Sequence, residues 1–376
     1  MLNKFDDYPI HQTSEPIAHP ASSNRNVYDR TWFNGYSSDG NYYFAIGMSL
    51  FPHRGILDCA FSVVEKGGRQ HSFFASRRAP LERSEMEVGP FKLSIIEPLK
   101  RARVVLEDND TGLSCDLTFS ARTAAIEEEK QTIWAGTRKT MDTTRFLQFG
   151  RWSGSIKHPD GELTIDDQLC HGTKDRSWGV RDSAGEPETG GAPKPRGSAF
   201  FLWAPLIWED HVSHAVCIND ANGRSFINEA ITAPLYQSEA QVPEVVDSTC
   251  ERLFRMEQRV EYRSGTRHAE YAEIDLVDWE GGKRTIQLTP VLRFQMKGLG
   301  YFHPEWGQGF WKGELAIGGE SFDPHDIDLL APEHIHIQQV MKVSDGERSG
   351  VGVMEQTVFG PYYPHGFKDF LDVPQR

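Results

Sequence analysis

The sequence predicts an all-β chain built as two domains, and three observations carry that reading. Short runs with period-two alternation recur along its length, helical patterns are scarce, and one Gly/Pro-rich stretch divides the chain almost evenly. With 376 residues, each half is long enough to bury its own apolar core.

The elements follow in order. Tyr42-Tyr43-Phe44-Ala45-Ile46-Gly47-Met48 is a first strand, and residues 56–64 form a second after Pro52-His53-Arg54-Gly55. Glu65-Lys66-Gly67-Gly68-Arg69-Gln70 reads as a hairpin loop, its glycines supplying the positive φ of a tight turn. Residues 103–106 and 113–119 flank the turn-rich 107–112 in the same way. Ala215-Val216-Cys217-Ile218, residues 272–277 and residues 284–288 continue the pattern. Residues 123–132 are expected as a short helix, and 244–256 fit helix or strand equally. Residues 183–197, dominated by Gly and Pro, read as a linker and put the domains at 1–190 and 191–376. Residues 50–73 and 206–226 echo each other, each strand, loop, strand, ending in Gly67-Gly68-Arg69 and Asn222-Gly223-Arg224.

Composition narrows the function. A net charge of −14, without any long run of Lys and Arg, argues against nucleic acid or anionic membrane as partner and favours a small ligand. The N-terminus lacks a signal-like apolar segment and no run is long enough to span a bilayer, so a cytoplasmic protein is expected. Five dispersed cysteines without a CxxC pair read as reduced and mostly buried. A phosphate loop, a dinucleotide fingerprint, a G-x-S-x-G elbow and zinc-protease spacing are all missing from the sequence. His334-Ile335-His336 places two imidazoles on one face of an expected strand, as in a cupin-like metal site. Val340 stands where the carboxylate of such a site would be. His211 and His214 form a second pair with no evident carboxylate partner. Paired surface or core histidines are the plainer reading, so no metal or other cofactor is expected, with a metal-dependent cupin-like oxygenase on His334 and His336 as the further alternative.

The densest cluster of functional residue types is His171-Gly172-Thr173-Lys174-Asp175-Arg176-Ser177-Trp178-Gly179-Val180-Arg181-Asp182, with two glycines freeing the backbone to turn. If extended, it puts Asp175 and Arg181 on one face and Arg176, Trp178 and Asp182 on the other. A carboxyl held dry beside an indole stays protonated and can act as a general acid. The plain alternative is an Asp–Arg network that locks the domain junction.

Residues 172–179 resemble the Gly-x-x-Asp-His-x-Trp-Gly motif of the AttH-like and hydroxyneurosporene synthase (carotenoid hydratase) superfamily. Gly350-Val351-Gly352-Val353-Met354-Glu355-Gln356-Thr357-Val358-Phe359-Gly360 is similar to its closing Gly-x-x-Tyr-x-Glu-x-x-x-x-Gly strand, and Trp32-Phe33-Asn34-Gly35-Tyr36 fits its N-terminal region. The resemblance implies two tandem lipocalin-like (calycin) β-barrels with a ligand cavity near their junction, and Asp175 as proton donor to an isolated alkene. Two positions depart from the pattern: Arg176 replaces a common His, and Met354 replaces a common aromatic.

The expected catalytic set is Asp175, Trp178, Arg181, Asp182 and Glu355, and the expected ligand-binding set is His171, Arg176, Trp203, Trp208, Tyr301 and Trp306. The aromatic members would shield a carbocation through cation–π attraction, or simply pack the core. The implied activity is a cofactor-independent lyase or isomerase, hydratase- or cyclase-like, acting on an apolar terpenoid, steroid or polycyclic molecule. A non-catalytic carrier of a lipophilic ligand is the alternative.

Overall fold

The computed structural model describes residues 1–182 and 198–373. The expected linker at 183–197, and with it the division at 190/191, lies outside the described residues. The first half forms β1 (Val27–Ser37), β2 (Tyr42–Phe51), β3 (Ile56–Glu65), β4 (Gln70–Arg78), β5 (Glu87–Val88), β6 (Phe91–Glu97) and β7 (Arg101–Leu106). It continues with β8 (Ser114–Ala121), β9 (Ile126–Glu127), β10 (Gln131–Ala135), β11 (Arg138–His158), β12 (Gly161–Ile165) and β13 (Cys170–Arg181). The second half supplies β14 (Ala199–Ile207), β15 (His211–Asn219), β16 (Ser225–Pro234), β17 (Glu251–Arg252) and β18 (Arg255–Tyr262). Then come β19 (Ala269–Val277), β20 (Lys283–Gln295), β21 (Leu315–Phe322), β22 (Ile337–Ser344) and β23 (Ser349–Phe359).

Two antiparallel sheets result. One runs β21-β4-β3-β2-β1-β13-β11-β8-β7-β6-β5, with β9, β10 and β12 also on β11; the other runs β17-β16-β15-β14-β23-β22-β20-β19-β18. The first is a nearly closed barrel and the second curls into a half-barrel. The echoing segments take corresponding places, β2–β4 and β14–β16, in the two sheets. One strand crosses between the halves: β21, from the second half, pairs along β4 from Leu315↔Arg77 to Phe322↔Gln70.

Three apolar layers explain the sequence pattern. Phe33, Phe61, Val104, Leu117 and Trp152 belong to the interior of the first barrel, and Leu202, Ala215, Ile274 and Met341 to that of the second. Between them lies a seam, with Trp32, Tyr43, Leu147 and Phe149 facing Trp203, Val216, Ile231 and Val353. Strands away from the seam alternate cleanly. In β7 and β8, Val104 and Leu117 point inward while Arg103 and Asp116 pair outside at 2.6 and 2.7 Å. Strands at the seam are covered on both faces, which is why Ala215-Val216-Cys217-Ile218 reads as a continuous apolar run.

The helix expected at 123–132 is absent: that segment forms β9 and leads into β10. The ambiguous 244–256 stretch holds β17 and the start of β18. Every helix among the described residues is a 3₁₀ turn of three or four residues, and none is long and apolar enough to cross a membrane. All five cysteines are free thiols.

Gly172 and Gly179 do not make turns, because β13 runs through both as continuous strand. Gly172 leaves room instead: a Cβ there would collide with the Asn34 carbonyl and with the Trp152 indole, whose Nε1–H donates to that carbonyl at 2.8 Å. Gly179 adopts φ +127°, a region that disfavours side chains. Gly172→Ala is expected to cost about 1–3 kcal/mol by overpacking. It would appear as a lower denaturation midpoint with an unchanged slope.

Candidate active site

The register of β13 decides what Asp175 meets. Trp32 lies across from it on β1 and Leu147 on β11. Alternation puts His171, Thr173, Ser177 and Arg181 on the same face, toward the seam. Asp175 is buried there and forms an ion pair with Arg145 of β11. Arg145 Nε is also 3.4 Å from the carboxylate of Glu128, so one guanidinium serves two acids. Burial works against the charge of Arg145, but Asp175 and Glu128 hold its pKa above the usual range.

Glu128 follows β9, paired to the chain of β11 through its N–H on the Arg145 carbonyl. Its side chain has 0% exposure, with the Arg145 guanidinium and the Trp203 indole N–H as its polar neighbours. Burial, reinforced by Asp175, pushes its pKa up to about 7 against the pull of Arg145. Across the seam, His214 Nε2 of β15 stands 3.7 Å away. Burial lowers the pKa of that imidazole to about 3, so it is neutral near pH 7. The Trp203 indole meets Trp32 edge-on at 5.8 Å and His214 at 5.6 Å. Two acids, one guanidinium, one neutral imidazole and two indoles therefore converge from both sheets.

A second polar chain continues along the seam. Glu355 of β23 is paired to His336 Nε2 at 2.6 Å and accepts from the Gln338 amide at 2.6 Å. Burial tends to raise Glu355, but His336 and Gln338 hold it below the ordinary carboxylate range. The Gln338 carbonyl accepts from the Tyr43 hydroxyl and the Asn34 amide. Tyr301 packs edge-on against His336 at 4.7 Å and lies under the Arg30 guanidinium at 4.9 Å. Arg181 sits over the Tyr28 ring at 4.6 Å. His171 lies beside Tyr36, and burial together with Arg151 and Arg122 lowers it to about 4.

The seam thus gathers Asp175, Arg181, Glu355, His171, Trp203, Tyr301 and Trp306, the last stacked on Phe74 at 5.7 Å. The remaining expected residues lie elsewhere. Trp178 is three positions from Asp175 and so falls on the opposite strand face, half-exposed against Phe146. The indole beside Asp175 is Trp32. Arg176, also on that opposite face, is bound to Asp29 at 2.8 Å and Thr31 at 2.6 Å. Asp182 accepts from Asn26 and Arg138 at 2.6 and 2.7 Å. Trp208 packs in the second barrel, stacked on His211, with its N–H on Ser213.

His334 ends a 3₁₀ turn before β22 and bonds the Asp328 carbonyl, whereas His336 turns to Glu355. They do not share the face of a strand.

Glu128, Arg145 and Trp32 are the residues that sequence reasoning missed. Glu128 was masked by Glu127-Glu128-Glu129-Lys130, which looks like a solvated charge run. The one signal was His214, a histidine with no visible carboxylate partner: Glu128 is that partner.

Two buried carboxyls, Asp175 and Glu128, thus share one guanidinium beside the aromatic residues of the seam. The fold is that of the AttH-like, double lipocalin-type proteins. An AttH-like protein from Nitrosomonas europaea aligns over 93% of this chain and 98% of its own, with 12% identity and a TM-score of 0.53. Kievitone hydratase from Nectria haematococca aligns over 88% of each chain, with 13% identity and a TM-score of 0.51. The chain itself belongs to the family of unknown function DUF8625, whose model matches residues 2–368. No curated protein sequence matches it. At such identities the structural likeness establishes the fold, and the reaction has to be argued from the site.

Proposed function

We propose that the seam is the active site of a lyase or isomerase that protonates an isolated double bond of an apolar small molecule, of terpenoid, steroid or polycyclic class. The two halves, 1–190 and 191–376, are read as the barrels that clasp it. The observation that carries this reading is Glu128, a fully buried carboxyl tied through Arg145 to Asp175. The acid role expected of Asp175 passes to Glu128, because Asp175 holds the closer ion pair with Arg145 while burial raises Glu128 to about 7. Burial, reinforced by Asp175, raises Glu128 to about 7, so it still holds its proton over part of the population near neutral pH.

The chemistry then follows. Glu128 gives its proton to one alkene carbon, and the positive charge develops on the other. Trp32 and Trp203 offer their π-faces to that cation, each worth about 0.5–2 kcal/mol, and anionic Asp175 adds attraction. The Glu128 carboxylate left behind is stabilised by Arg145. Addition of water followed by proton return to Glu128 gives hydration, while loss of a different proton gives an isomer. Attack by a second double bond closes a ring and moves the charge to the far carbon of that bond, and loss of a neighbouring proton to the Glu128 carboxylate gives the neutral cyclic product. No group beyond these side chains is required.

Incubation with apolar alkenes in heavy-oxygen water, followed by mass spectrometry, distinguishes these outcomes from a carrier that returns its ligand intact. Glu128→Gln is expected to lower turnover about a hundredfold or more. Wild-type turnover should fall as pH rises through about 7, where Glu128 loses its proton. Full activity in Glu128→Gln would refute the assignment.

A further inference from the structure

The opposite face of β13 looks into the first barrel, where an apolar cavity of about 460 Å3 reaches Lys174. Met48, Leu57 and Phe146 form its wall, and Phe5, Ile10 and Ile17 of the N-terminal segment line its mouth. The volume falls within the roughly 300–1,000 Å3 of small-molecule sites. Nothing in the proposed seam chemistry uses it, since Lys174 and Asp175 point to opposite sides of one strand.

Charge decides what the cavity would hold. Lys174 is 5% exposed, and its ammonium faces the Phe146 ring at 5.7 Å. Among the described residues no hydrogen bond or ion pair reaches that ammonium. The acids of the lining are already committed, Asp29 to Arg176 at 2.8 Å and Glu85 to Arg77 at 2.7 Å. Arg83 is a second lining cation with no carboxylate partner among the described residues. A buried cation without a counter-charge is costly, and a ligand that brings one recovers that cost.

We infer that the first barrel binds a long-chain carboxylate, its tail in the apolar cavity and its headgroup on Lys174, at a site separate from the seam. Burial, with Arg176 adding to it, lowers Lys174 to about 8, as expected of an ammonium still lacking its anion. Binding of the carboxylate should raise it again.

Calorimetric titration with dodecanoate and with 1-dodecanol tests this. Dodecanoate should saturate one site per chain, and Lys174→Met should weaken it about tenfold or more. Dodecanol should bind wild type and Lys174→Met alike. Asp175→Asn should bind dodecanoate as wild type does, which separates this site from the seam whatever becomes of the catalytic reading. Leu57→Trp, which fills the cavity, should abolish binding of both probes and serves if Lys174→Met fails to fold. Equal dodecanoate affinity in wild type and Lys174→Met, no saturable binding of dodecanoate, or undiminished binding in Leu57→Trp would each overturn the inference.

Discussion

Arg145→Met is expected to cost about 3–5 kcal/mol of folding stability, the range for breaking a buried ion pair from one side. The geometry places this triad at the demanding end. The Arg145 side chain is 16% exposed, that of Asp175 10%, and that of Glu128 not at all. Removing the guanidinium leaves two carboxyls in apolar surroundings, close enough to repel each other. The loss should depend on pH, and its sign follows from Glu128. Its folded pKa of about 7 lies above the ordinary 4.5, so the stability it contributes is full below 4.5 and is lost as pH rises through 7. In the variant Glu128 can escape its penalty by protonation, so the gap to wild type should narrow as pH falls toward 4.5. Denaturant unfolding across that window measures it. The triple change Glu128→Gln, Arg145→Met, Asp175→Asn should recover most of the loss, since no buried charge remains. A gap below about 1 kcal/mol at every pH would mean that the triad behaves as a surface pair.

Arg267→Ala should be comparably severe for a different reason. Arg267 is 1% exposed and donates to the carbonyls of Val358, Gly360, Asp369 and Asp372, at 3.1, 2.9, 3.0 and 2.8 Å. It also bonds the Asp372 carboxylate at 2.8 Å and stacks over Phe367 at 4.4 Å. One side chain thereby ties the segment after β23 to the β18–β19 turn. Its removal strands several acceptors at about 1 kcal/mol each, some 3–5 kcal/mol together. Limited proteolysis should then cut first within 360–373, and unchanged resistance there would contradict the account.

The architecture was largely readable because it rests on local pattern. Alternation in Ala102, Val104 and Leu106, glycine in the hairpins, and the absence of long amphipathic runs are properties of neighbouring residues. The acid–base cluster was readable only in part, because a sheet assembles it sideways. Asp175 stood out by its company in sequence, yet its true neighbours are Trp32 and Arg145, contributed by strands 143 and 30 positions away. Trp178, nearer in sequence, is carried to the far face by strand geometry. Glu128 failed for a related reason. Ala124-Ala125-Ile126-Glu127-Glu128-Glu129 has helical composition, and only pairing of β9 with β11 turns one of its three acids inward. Local propensity gave way to tertiary context there.

The strand that β21 lends to β4 bears on how the chain comes into being. During synthesis the amino-terminal barrel emerges well before residue 322, so the rim of β4 waits bare while the ribosome is still at work. Such an unpaired rim invites mispairing with other nascent chains. Completion of the first barrel is therefore a late event, and a polypeptide cut between the halves would inherit that unfinished border permanently.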